Sequence, residues 1–317
     1  GTVTQDVTLS SSNHYELNGK VVIGGDNTDS ATLTVQAGTT VYGPTNTDFL
    51  VISRGSDLVV NGTANAPVTF TGLDDLEGNV DIDTTRGLWG GVVINGNAPI
   101  NDCPEGATGG TAECTKEGEA NSGLFGGDDP TDSSGSLKYM VVKYAGSNVD
   151  PENQLNGIAF QGVGSGTEVD YVQVHNNLDD GIEFFGGTVN LKYVVLTANQ
   201  DDSVDWDHGY RGKMQYVLVQ HATDDSDANR LIEADNDGSN LAGEPKSNPM
   251  IANFTGIGNN FNPENNPSEG IYLREGTGAQ FYNVIVTGPA NMGECFEVEG
   301  NAVSQANLSD GTISMTN

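Results

Sequence analysis

The amino-acid sequence predicts an all-β solenoid, and three observations carry the prediction. Short β-branched runs alternate with Gly, Asn and Asp turns, with 43 Gly against 11 Pro. No long stretch of good helix formers repeats its apolar residues every 3.6 positions. Residues 157–235 also repeat themselves: Asp179-Asp180, Asp201-Asp202 and Asp224-Asp225 are spaced 22 and 23 residues apart, the length of one solenoid coil.

Aligning those coils fixes two columns. Glu183, Asp205 and Glu233 fall on one, and Phe185, Asp207 and Asp235 fall two residues further on. Residues two apart on a strand share a face, so the repeat predicts a stacked acidic surface on one flank. Each coil shows an acidic, aromatic strand (Ile182 to Phe185, Val204 to Trp206) and an apolar strand led by Tyr139, Tyr171, Tyr193 or Tyr216. A third short strand cannot be separated from the turns.

The chain opens on short strands, among them Val21-Val22-Ile23, Ala31 to Val35, Phe49 to Ile52 and Leu58-Val59-Val60. The phrases LTVQAGTTVYG and LVISRGSDLVVNGTANAPVTFTG (residues 33–43 and 50–72), with DDGIEFFGGTVNLKYV and DDSVDWDHGYRGKMQYV further on, resemble secreted bacterial right-handed parallel β-helix proteins. These have the pectate-lyase-like architecture and include surface proteins of marine Gram-negative bacteria and Bacteroidetes. The resemblance implies a right-handed parallel β-helix with coils of about 22–25 residues, and export. It implies no particular reaction.

One domain is expected over residues 1–317: N-terminal coils (1–100), an acidic loop (101–135), regular coils (136–235), a loop insertion (236–268) and C-terminal coils (269–317). The final stretch shows neither a polar cap nor a helix pattern. Because solenoid ends need capping, a continuation past Asn317 or a second chain over that end is expected. Cys103 and Cys114 suit a local disulfide closing the acidic loop, and Cys295 is left over.

With 44 acidic residues against 12 Lys and Arg, a net charge of −32, phosphate backbones and anionic membranes are poor partners. No apolar run reaches the roughly 20 residues of a membrane span. A mature secreted or cell-surface chain is expected, its leader removed. Clustered carboxylates point to a divalent cation, Ca²⁺ foremost, with Asp179, Asp180, Asp201, Asp202, Asp224 and Asp225 as metal candidates. The acidic face also reads as a solvated surface with Asx turns, as a glycan-binding face, or as a polysaccharide lyase or glycosidase site with Asp202, Asp205, Asp207, Glu183 and Arg211 in the groove. Trp206, His208, Tyr210 and Lys213 are the ligand-binding candidates beside it. Self-association through the solenoid ends is a further expectation. No zinc spacing, nucleophile elbow or phosphate loop appears.

Overall fold

A computed structural model describes residues 1–150, 153–222, 229–260, 268–290 and 292–317. Asp224 and Asp225 lie outside the described residues. Two long parallel sheets wrap one core. Sheet A has ten strands, running from Thr2–Val3 through Gly91–Asn95, Ile158–Gln161, Ile182–Phe185, Val204–Asp207, Arg230–Ala234 and Glu269–Leu273 to Phe296–Val298. Sheet B has thirteen. Among the described residues every strand pairing between successive coils is parallel, as in Ile182↔Val204 and Leu191↔Met214. The chain is therefore a parallel β-helix.

The third strand of each coil is found inside sheet B. In the first coils, Asp57–Asn61 and Val68–Gly72 are separate strands, and they pair with the two halves of the single strand Gly135–Lys143. The corner between those halves is Tyr139, at φ +51°. Tyr171, Tyr193 and Tyr216 repeat the corner at φ +58°, +61° and +59°. A left-handed backbone costs a non-glycine residue about 1–2 kcal/mol. Ring stacking offsets part of that cost: successive rings lie 4.4, 4.5 and 5.3 Å apart and nearly parallel. Asn253 and Asn283, which tolerate this conformation better, take the corner in the next coils.

The core follows from strict alternation. Ile182, Phe184, Val204 and Trp206 point inward from sheet A and are fully or almost fully buried. Phe160 stacks on Phe184 at 5.4 Å, and Phe184 on Tyr210 at 4.1 Å.

Two expectations need correction. Residues 236–268 are not one side loop, because Met250–Ile257 is a full sheet B strand paired on both sides. Its Asn253 stands where earlier coils have Tyr, which hid the repeat. The final stretch does contain a helix, Ala302–Asp310. Asn301 caps it by accepting from the Val303 and Ser304 amides. Its hydrophobic residues do not line one face, so its sequence carries no helical period.

The 101–135 loop is built as an accessory layer. The Cys103–Cys114 disulfide closes it, with Cα atoms 4.7 Å apart. Lys116–Glu117 and Leu124–Phe125 form a small antiparallel ribbon. Ile100, Cys114, Ala120 and Phe125 pack onto the outer face of sheet A against Phe49, Val51, Val93, Leu155, Ala159 and Phe185. This is a second apolar cluster, separate from the core inside the solenoid. Among the described residues no helix is long and apolar enough to cross a membrane.

Candidate functional site

The outward residues of sheet A carry the acidic column where the repeat predicts it. Glu183 is in register with Asp205, and Val204↔Ile232 places Asp205 beside Glu233. Neighbouring strands stand about 4.8 Å apart, so these carboxylates are forced together by the backbone.

The turn carboxylates join them. The Asp202 amide donates to Asp180 Oδ1 at 2.9 Å, which fixes the Asp180 side chain against the next coil. Asp180 and Asp202 are only 6% and 3% exposed. Three overlapping triads result: Asp179, Asp180 and Asp201; Asp180, Glu183 and Asp205; Asp202, Asp205 and Glu233. In each, one oxygen per residue lies within 4.8 Å of the other two. Asp180 belongs to two triads, and so does Asp205. The turn Asp pairs and the face column, which read as separate features in the sequence, form one ladder.

Burial and mutual repulsion raise these acids. Burial, then neighbouring carboxylates, pushes Asp180, Glu183, Asp202 and Asp205 well above the usual range. Asp179 is pushed up to about 7, by burial and then by Asp201. Burial pushes Glu233 up to about 7 as well, while Arg274 and Arg230 pull it down. Arg230 Nη1 meets Glu233 Oε1 at 2.6 Å, and Arg274 Nη2 meets Glu233 Oε2 at 2.8 Å and Asp235 Oδ2 at 2.7 Å. The three triads hold seven carboxylates, and both guanidiniums meet the same one of them, Glu233. Asp202 Oδ1, Asp205 Oδ1 and Asp207 Oδ1 are buried without a hydrogen-bond donor, a costly state for carboxylate oxygens unless a cation or proton compensates them.

The accessory loop reaches the rim of the ladder. Asn156 Nδ2 bridges Glu119 of the loop and Glu183 of the column. Burial, then Asp179 and Asp207, pushes Glu119 up to about 8. His208 Nε2 lies 3.0 Å from Asp102 Oδ2 and its Nδ1 abuts Asp207; Lys116 pairs with the same Asp102. Burial alone would depress His208, but Asp207 and Asp102 outweigh it and hold the imidazole up at about 9. The hydrogen bond from His208 holds Asp102 far below the carboxylate range. Glu119, Phe125, Gln161, Phe185 and His208 line a 220 Å³ pocket here.

The structure therefore brings together Asp179, Asp180, Asp201, Asp202, Glu183 and Asp205, with Asp207 and His208 alongside. Four ligand or catalytic assignments fall away. Trp206 is buried in the core, its Nε1 donating to Thr277 Oγ1 at 3.1 Å. Tyr210 is buried and donates to the Val189 carbonyl. Period-2 alternation puts Trp206 inward between Asp205 and Asp207. Lys213 is on sheet B, in register with Asn190. Arg211 stands at the corner leading there, its amide on the Gly187 carbonyl and Glu244 as its acidic neighbour.

Sequence reasoning missed Arg230, Arg274 and Glu119. Arg274 had a signal: Ala234↔Leu273 puts it next to Asp235 in the second column, so continuing the coil alignment to residue 274 finds it. Glu119 had none, because a loop folding back over the sheet leaves no period.

The chain belongs to the pectate-lyase-like β-helix domain family, whose model matches residues 1–317. No curated protein and no solved structure matches it.

Proposed function

We propose that the protein is a non-catalytic, exported component of a cell surface or matrix, whose carboxylate ladder holds divalent cations. The observation that carries this reading is the set of three overlapping triads with donor-less, buried Asp202 Oδ1 and Asp205 Oδ1 inside it. All ligand atoms in the triads are carboxylate oxygens. A hard, flexibly coordinated ion that takes six to eight oxygens suits such a set, which favours Ca²⁺; zinc prefers nitrogen and sulfur. Bound ions would supply the positive charge the seven carboxylates lack and staple three coils together. The Cys103–Cys114 disulfide supports an oxidising, external compartment.

Melting with and without a chelator tests the proposal. Filling one site at a hundred times its Kd stabilises by about 2.7 kcal/mol, so for a chain of 317 residues chelation is expected to lower the melting temperature by roughly 4 °C per site. Asp205→Asn touches two triads and is expected to lose more than half of that shift. An unchanged melting temperature on chelation and on Ca²⁺ addition would rule the cations out.

A polysaccharide hydrolase or lyase reading gains one observation. Glu119, pushed up to about 8, keeps its proton at neutral pH beside the pocket lined by Phe185 and His208, as a general acid must. Product assays on uronate-containing and neutral polysaccharides, wild type against Glu119→Gln, test it. Turnover lost in Glu119→Gln would favour the enzyme; absence of turnover in the wild type would dismiss it.

A further inference from the structure

Three consecutive strands of sheet B, Lys213–Gln220, Met250–Ile257 and Ala279–Thr287, carry an outer surface without a carboxylate. Each strand offers four outward positions, in register from coil to coil: Leu218, Thr255 and Ile285 form one column, and Gln220, Ile257 and Thr287 the next. Of the twelve positions only Lys213 is charged, in a chain with 44 acidic residues. Carboxylates return two coils upstream, at Glu168 and Asp170. The same three strands expose Tyr216, Leu218, Met250, Ile257, Tyr282 and Ile285, half of the exposed large hydrophobic side chains among the described residues.

Apolar residues exposed singly need no explanation, whereas a contiguous patch marks an interaction surface. With strands about 4.8 Å apart and about 3.3 Å per residue, this one spans roughly 14 Å by 26 Å, about 400 Å². It wraps an edge of the solenoid, because the strands turn at Tyr216, Asn253 and Asn283, all at positive φ. A stable complex buries about 800 Å² per partner, so the area suits a weak, reversible contact. Charge narrows the partner. Two copies of a chain of net charge −32 repel wherever carboxylates face each other, and patch against patch brings none together. A cationic partner would gain more from the acidic remainder of the surface.

We infer that this patch pairs with the same patch of a second copy, forming a weak twofold dimer. A twofold axis along Met250–Ile257 sets Leu218 against the partner's Ile285 and Ile285 against the partner's Leu218, as an isologous contact requires. Burial of these apolar side chains drives the contact, and the net charge of each copy opposes it. Salt therefore strengthens the dimer by screening that repulsion, whereas it would loosen a contact made of ion pairs. The pairing goes beyond the surface-component reading and uses no residue of the sheet A ladder.

Sedimentation equilibrium from about 10 µM to about 1 mM protein, in chelator and at low and high NaCl, tests it. The wild type is expected to dimerise reversibly within that range, and several-fold more tightly at high salt. Leu218→Glu/Ile285→Glu, which sets carboxylates into the patch, is expected to weaken dimerisation about tenfold or more. Leu218→Met/Ile285→Leu keeps the surface apolar and is expected to dimerise as wild type. So is Ile82→Glu, at an isoleucine 66% exposed outside the patch. Circular dichroism establishes that each variant is folded. A wild type that stays monomeric, equal dimerisation of the double Glu variant, equal loss in Ile82→Glu, or a dimer that salt dissolves would overturn the inference. Flotation of monomeric wild type with phosphatidylcholine vesicles would also overturn it, by giving the patch to lipid. Chelator keeps cations out of the measurement, so a monomer here leaves the ladder reading standing, and unchanged melting on chelation leaves this pairing standing.

Discussion

One outward column of sheet A is solved in two opposite ways along its length. Val22, Val51, Val93 and Ala159 follow one another in register, and the same column continues as Glu183 and Asp205. Backbone, spacing and direction are unchanged at the junction. The first half is apolar and is covered by the disulfide loop, which brings Ile100, Cys114 and Phe125 down onto it. The second half is acidic and is compensated by Arg230, Arg274 and protons. A β-helix coil constrains its inward residues tightly, because they must fill a core of fixed width. Its outward residues are constrained only by what covers them. The column is therefore where one fold can accept either a packed lid or charged ligands.

Removing the apolar anchor breaks the comparison most strongly. Phe125 is 1% exposed and plugs the loop onto sheet A beside Phe185, with ring centroids 6.1 Å apart. Phe125→Ala is expected to cost about 3–5 kcal/mol. Denaturant titration measures it, and limited proteolysis should show new cuts within residues 101–135. A loss under about 1 kcal/mol, with the loop still resistant, would mean that the lid is not held by its apolar contacts.

A pH titration of chelated protein sharpens the other half. The ladder acids Asp179 and Glu233, and Glu119, have folded pKa values of about 7, 7 and 8, all raised above unfolded carboxylates. The folded state then holds more protons than the unfolded one between about pH 4.5 and 8. Stability should accordingly fall as pH rises through that window, by about 1.4 kcal/mol per pH unit for each extra proton. His208, raised to about 9, adds a loss in the same direction at higher pH. Asp102, held low, works oppositely and only below the ordinary carboxylate range. Ca²⁺ should flatten the decline, because it replaces the protons. Thermal melts from pH 5 to 8, with and without Ca²⁺, read both slopes; metal-free stability that rises with pH would refute the assignment.

Much of the molecule was legible in the sequence. The 22- and 23-residue repeat gave the coil, and period-2 alternation gave the column of Glu183, Asp205 and Glu233, because strand registry copies sequence spacing directly into space. The same alternation, applied one residue over, would have placed Trp206 inside. Its neighbours Asp205 and Asp207 made it look like part of the surface. The 236–268 segment failed because Asn253 replaces the tyrosine that marked earlier coils, although both residues serve the same left-handed corner. The helix Ala302–Asp310 failed because its propensity comes from a cap and local hydrogen bonds rather than from an apolar stripe.

By itself, the sequence determined the quantities that repeat: coil length, the inward core and the identity of the acidic column. These depend on local spacing, and a parallel solenoid turns spacing into contact. Tertiary structure alone decided how the column is used. Asp180 and Asp202 swing in from the turns, Arg230 and Arg274 arrive from later coils, and Glu119 descends from a loop that pairs with no repeat. The difference is one of range: burial and charge balance depend on groups far apart in the chain, and no period records where a covering loop will land.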